Sequence, residues 1–151
     1  MKNLKLLDRL VKICVDSAER YRRAAADVGK ETLVQFFEEK EAARRRDADE
    51  LNFERKRLGG EGDPPREESG SLGGFIDRAA MDLSVVMSKG DTGVVEWCRQ
   101  DAIDVIDEYD KALSKDFPPD TLTMLQRQLA GNRATLAALE KLLKPYGHPR
   151  S

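Results

Sequence analysis

The chain has 151 residues, of which 36% are charged and 6% aromatic, with 26 Lys and Arg against 28 Asp and Glu. That near balance leaves no basic footprint for nucleic acid or an anionic membrane surface, and no apolar run approaches the ~20 residues of a membrane span. Two cysteines, Cys14 and Cys98, are too few for a disulfide framework and have no metal-ligand spacing, so a reduced cytoplasmic setting is expected.

The start of the chain, Met1 to Val15, carries Asp8 and Arg9 inside its apolar pattern, which argues against a secretory signal. From Lys2 to Val28 the residues Leu4, Leu7, Val11, Cys14, Ala18, Tyr21, Ala25 and Val28 recur at spacings of three and four. That is the seam of a buried helix, with Gly29 expected as a left-handed cap. A second helix is predicted from Leu33 to Leu58, where Phe37, Arg44, Leu51 and Leu58 share one face. Its centre is nearly all charge, and Glu41 and Arg45 form an i, i+4 pair. The short gap between the first two helices makes them antiparallel neighbours.

Gly59-Gly60 ends the second helix, and Pro64-Pro65 marks a loop. A short amphipathic helix follows over Leu72 to Met87, with Phe75, Ile76, Leu83 and Val86 among its apolar positions. Asp91 is a plausible N-cap for the third long helix, whose seam is Val95, Cys98, Ala102, Val105, Tyr109 and Ala112, ending near Ser114. Pro118-Pro119-Asp120 starts the fourth, with proline at the first helical position and a carboxylate in the first turn. Its stripe is Leu122, Leu125, Leu129, Asn132, Leu136, Leu139 and Leu143, closed by Pro145. Gly131, mid-helix, suggests close approach of another helix backbone.

The predicted fold is all-α. It is a ferritin-like antiparallel four-helix bundle, with a long crossover carrying a short extra helix between helices two and three. It forms a single domain over residues 1–146, with a disordered tail over 147–151. The runner-up is a plain up-down bundle with the crossover helix packed outside. In the first arrangement, counting from the helix starts puts Ala18, Lys40, Glu41, Arg44, Cys98, Asp101, Ala102, Asn132 and Leu136 in one central layer. Within it, Arg44, Glu41, Asp101 and Asn132 are the candidate polar core network. Arg44 is expected in a structural ion pair with Asp101 or Glu41; the other readings are an anion site and a stem on the seam with its head in water. Asn132 is expected to set register.

A di-iron bundle needs carboxylates from four helices and Glu-x-x-His steps on two. The one histidine, His148, lies in the tail, and no Glu-x-x-His occurs. No Gly-rich phosphate loop, nucleophile elbow or Ser/His/Asp set is present either. No catalytic residue, metal ligand or cofactor is therefore assigned.

Several short motifs carry a resemblance. They are Tyr21-Arg22-Arg23-Ala24-Ala25 with Asp27-Val28, Glu50-Leu51 followed by Arg57-Leu58-Gly59-Gly60, and Ser69-Gly70-Ser71 with the aliphatic helix behind it. Tyr109 to Leu113, and Pro118-Pro119 followed by Gln126-Arg127-Gln128, complete the set. Across nearly its whole length the chain resembles a bacterial ferritin-like family of unknown function. The resemblance implies that relatives carry glutamates at the places of Ala18 and Ala102 and a histidine at that of Leu136, and that this member has lost such a polar site while keeping Arg44.

Three functional expectations follow. The first is a non-enzymatic bundle acting as a binding or assembly module and self-associating as a dimer, because Phe75, Ile76, Val86 and Met87 exceed what one stripe requires. The second is a carboxylate-only iron or manganese protein with oxidase or storage activity. The third is a small-molecule pocket in a void between Ala18 and Ala102.

Overall fold

A computed structural model describes residues 3–62 and 90–143. The predicted crossover helix with Phe75, Ile76, Val86 and Met87, the Pro64-Pro65 pair, His148 and the 147–151 tail lie outside the described residues. Among the described residues the regular elements are four helices: α1 (Leu4–Asp27), α2 (Glu31–Arg57), α3 (Gly90–Leu113) and α4 (Pro119–Leu143). None of them is long and apolar enough to cross a membrane.

Each helix follows from its apolar period, and each end has a local cause. The buried face of α1 is wider than one seam. Besides Leu7, Val11, Cys14, Ala18 and Tyr21 it buries Leu10, Ile13, Asp16, Ser17 and Arg20, because α1 packs against both α2 and α3. Its last residue is followed by an extended Val28 (φ −84°, ψ 152°), and Gly29 is not left-handed. The expected glycine cap is replaced by a contact from outside the helix. Asp91 accepts the Gly29 N–H at 3.0 Å and the Lys30 N–H at 3.3 Å. Asp91 thus lies in the first turn of α3 and serves the neighbouring α1–α2 turn, placing a carboxylate beside the positive start of α2.

The C-terminus of α2 is closed by a Schellman motif. Gly59 takes φ +108°, its N–H reaches Lys56 O at 3.1 Å, and the Gly60 N–H reaches Arg55 O at 2.9 Å. Arg55, itself buried, then donates to Glu61 O and Gly62 O and pairs with Asp8 of α1 at 3.3 Å. One side chain therefore fixes the exit of α2 and ties it to α1.

Cross-helix contacts give the directions. From Asn3–Asp116 through Arg9–Glu108 and Ser17–Asp101 to Gly29–Asp91, α1 and α3 run antiparallel. From Arg44–Asn132 through Gln128–Glu50 to Thr121–Glu54, so do α2 and α4. With α1 and α2 joined by a short turn, α2 and α3 point the same way. Of the adjacent pairs, α1 and α2 share the most extensive contact and α2 and α4 the least.

The apolar core falls into two clusters. One gathers Leu7, Leu10, Cys14, Leu51, Val105, Tyr109 and Leu125 at the α1 N-terminal end. The other gathers Tyr21, Phe37, Val95, Trp97, Cys98, Ala102 and Leu139 at the opposite end. Ser17, Arg20, Arg44, Asp101, Asn132 and Thr135 are buried between them.

Two glycines separate close approach from open space. A Cβ on Gly60 would sit 2.9 Å from Arg55 Cγ and Nη1 and 3.0 Å from Arg55 O. A Cβ on Gly131 would meet only Arg44 Nη2, at 3.9 Å, and no helix backbone, so the expected backbone approach at Gly131 does not occur. We predict that Gly60→Ala destabilises the fold by about 1–3 kcal/mol through overpacking. Gly131→Ala should stabilise it by up to about 1 kcal/mol through helix propensity. Urea unfolding followed by far-UV circular dichroism reads both; equal effects at the two sites would contradict this packing.

Candidate functional site

Arg44 sits at the middle of α2 and is only 4% exposed. A buried guanidinium is costly unless acceptors surround it. Its Nη1 donates to Asn132 Oδ1 on α4, and its Nη2 lies 3.2 Å from Asp47 Oδ2, one turn along α2. Asn132 in turn donates from Nδ2 to Gln128 O at 2.9 Å, which fixes its amide so that the oxygen faces Arg44.

Gln128 extends the chain of contacts. Its Nε2 donates to Glu50 Oε1 at 2.8 Å, and its Oε1 accepts the Tyr109 hydroxyl at 2.6 Å. Because the Tyr109 hydrogen is committed there, the Cys14 thiol, 3.2 Å from the Tyr109 oxygen, is the donor in that contact. Cys14, Tyr109, Gln128, Asn132, Arg44 and Asp47 thus form one network touching all four helices. A second cluster lies between α1 and α3. Asp101 accepts from Ser17 Oγ at 2.9 Å and from Arg20 Nη1. The Arg20 guanidinium also stacks over the Trp97 ring, 5.3 Å from its centroid.

Of the four residues expected to meet, Arg44 and Asn132 are brought together. Glu41 turns to Arg45 at 3.0 Å on its own helix, and Asp101 belongs to the Arg20 cluster. Lys40 stays near the surface, over the Phe36 ring at 5.2 Å. The reason is angular. Counting residues along a helix gives a level, but α2 and α3 occupy opposite corners, so Arg44 faces α4 while Asp101 faces α1. Sequence reasoning missed Ser17, Arg20, Asp47 and Gln128. Gln128 had a signal, lying one turn before Asn132 on the same stripe; Arg20 lay hidden beside Arg22 and Arg23.

The electrostatics follow from burial. The Cys14 thiol is pushed up to about 12 by burial, and Cys98 is raised by burial as well. Neither is a thiolate nucleophile near neutral pH. Burial raises Asp101 against the pull of Arg20 and Ser17, and raises the Tyr21 and Tyr109 hydroxyls. Asp47 is carried up to about 6 by burial, opposed by Arg44 and assisted by Glu50. Among the described residues, no group of three or more His, Cys, Asp or Glu is placed to hold a metal ion.

Residues 2–115 match the family model described as a domain of unknown function, DUF2383. The chain belongs to this family. No curated protein and no solved structure matches it. The DUF2383 span covers α1, α2 and α3 and stops before α4. Ser17, Arg20 and Asp101 therefore lie wholly inside it, whereas Arg44 finds its Asn132 partner beyond it.

The Asp47 displacement has a definite sign. Its folded value near 6 lies above the ordinary 3.8, so the folded protein binds this proton more readily than the unfolded chain. The charged form costs stability above pH ~6, and that cost fades as pH falls toward 3.8. At full burial it would be about 3 kcal/mol. With the side chain 15% exposed, about 1–2 kcal/mol is expected after solvent screening. Asp101 acts in the same direction. The lowered carboxyls Glu19, Glu50, Glu54 and Glu108 lose their contributions only at lower pH. Urea unfolding at about pH 7.5 and about pH 5.5 should show a smaller gain on acidification in Asp47→Asn than in wild type. An identical gain in both would remove this account of Asp47.

Proposed function

We propose that this DUF2383 member is a non-enzymatic bundle of ferritin-like topology that serves as a binding or assembly module and self-associates as a dimer. The topology is supported by the parallel course of α2 and α3, the arrangement in which a four-helix bundle has a long connection between its second and third helices.

The observation that carries the reading is the composition of the centre. Where a metal-binding bundle of this kind directs carboxylates inward from its helices, α1 presents Ala18 and α3 presents Ala102, at 0% and 2% exposure. From α2 the inward residue is a cation, Arg44. Two acids of this layer are engaged, Asp101 by Arg20 and Ser17, and Asp47 by Arg44. Among the described residues such a centre offers a divalent cation no set of converging carboxylates, which favours a scaffold role. Self-association is supported by Phe53, which stands 70% exposed on α2, and by the apolar excess in the sequence of 72–87.

Two measurements on the full chain test the two parts separately. After expression with added iron and manganese, elemental analysis should return far less than one metal per chain. A stoichiometric metal surviving dialysis would overturn the scaffold reading. Sedimentation equilibrium at high micromolar concentration should return twice the chain mass. A strict monomer would remove the dimer and leave the metal question untouched.

A further inference from the structure

Among the described residues, Phe53 is the large apolar side chain that stays exposed, at 70%. One such residue has no meaning by itself, but its setting on α2 is ordered. Glu39, Ala42, Arg46, Asp49, Phe53 and Lys56 follow one another at steps of three and four, and all six are exposed. They make a straight stripe about 26 Å long, turned away from the core. Nearby Arg45, Glu50 and Arg57 are already held in ion pairs. Among the described residues the four charged members of the stripe are in none.

The order of these residues is self-complementary. Lay the stripe antiparallel on a second copy, with the two-fold axis midway between Asp47 and Ala48. Phe53 then lies over Ala42, Arg46 against Asp49 and Lys56 against Glu39, each contact occurring twice by symmetry. A large ring meets a small side chain, and every charge meets its opposite. Other alignments lose this. A parallel pairing sets each charge against its own copy. Sliding the antiparallel pair by one heptad brings Glu39 to Asp49 in one direction and Arg46 to Lys56 in the other. Exposed ion pairs add little affinity. Burial of the ring therefore supplies the attraction, and the charges fix direction and register.

We propose that this stripe of α2 is a docking surface for a second copy of the chain, which it takes antiparallel and in that one register. The proposal rests on the dimer reading above and gives that dimer its location and geometry.

Sedimentation equilibrium of the full chain and of charge-reversed variants tests it, with far-UV circular dichroism confirming unchanged helical content. Arg46→Asp and Asp49→Arg each set like charges together at both contacts and should dimerise more than about tenfold more weakly than wild type. Phe53→Ala should weaken the dimer by a similar factor. Mixed in equal amounts, Arg46→Asp and Asp49→Arg bring opposite charges together again, and a mixed dimer should form with an affinity within about threefold of wild type. Glu39→Lys and Lys56→Glu make a second such couple, read in the same way if one of the first two variants misfolds. Weak single variants with recovery in the mixture support the interface. A dimeric wild type whose variants dimerise undiminished, or whose mixture shows no recovery, overturns this interface and leaves the dimer reading standing. A strictly monomeric wild type removes both.

Discussion

A guanidinium removed from water must be handed acceptors, and this bundle does so twice at its centre. Arg20 joins α1 to α3 through Asp101, and Arg44 joins α2 to α4 through Asn132. Exchanging a buried ion pair for well-packed apolar residues is often neutral or stabilising, so these contacts are poor candidates for the source of net stability. Their effect is on registry. An apolar side chain sliding by one turn finds another apolar surface, whereas a buried cation sliding by one turn loses its acceptor at a cost of several kcal/mol. The two arginines therefore fix the axial position of each helix pair.

The apolar clusters on either side give these contacts their strength. The central layer is sandwiched between Leu7, Leu51 and Leu125 at one end and Phe37, Trp97 and Leu139 at the other, which keeps water out and lowers the local dielectric. The same exclusion raises Asp101, Cys14 and Cys98 together. A layer that holds its thiols protonated and its acids engaged is suited to holding helices in place.

The helices and their seams were legible in the sequence because period and proline placement are local properties. Phe37, Arg44 and Leu51 on α2, and Leu125, Asn132 and Leu139 on α4, are buried at the predicted spacings. Arg44 and Asn132 could be singled out because each interrupts an otherwise apolar stripe. Their partners could not be assigned, since a residue count fixes height along a rod and leaves open which corner of the bundle it faces. Arg20 was invisible for a related reason. One seam was read on α1, but α1 contacts two helices, so its buried arc extends to residues that a single stripe assigns to solvent. Gly29, Asp91 and Gly131 were misread because their roles depend on a neighbouring element: the α1–α2 turn is served by an acid from α3, and the gap in α4 faces a side chain from α2.

The source of the acid partner makes the Arg44 side of the layer different in kind from the Arg20 side. Between α1 and α3 the acid comes from the partner helix, so the ion pair itself holds the two together. Between α2 and α4 the acid, Asp47, is on the arginine's own helix, and α4 contributes neutral groups, Asn132 and Gln128. The charge of Arg44 is thus balanced within α2, and α4 adds neutral hydrogen bonds to it, with Arg127–Glu50 as an exposed ion pair across the seam. An adjacent pair held this way is the one whose spacing can change without parting a buried ion pair. The seam between α2 and α4 is therefore held less by buried charge than the seam between α1 and α3.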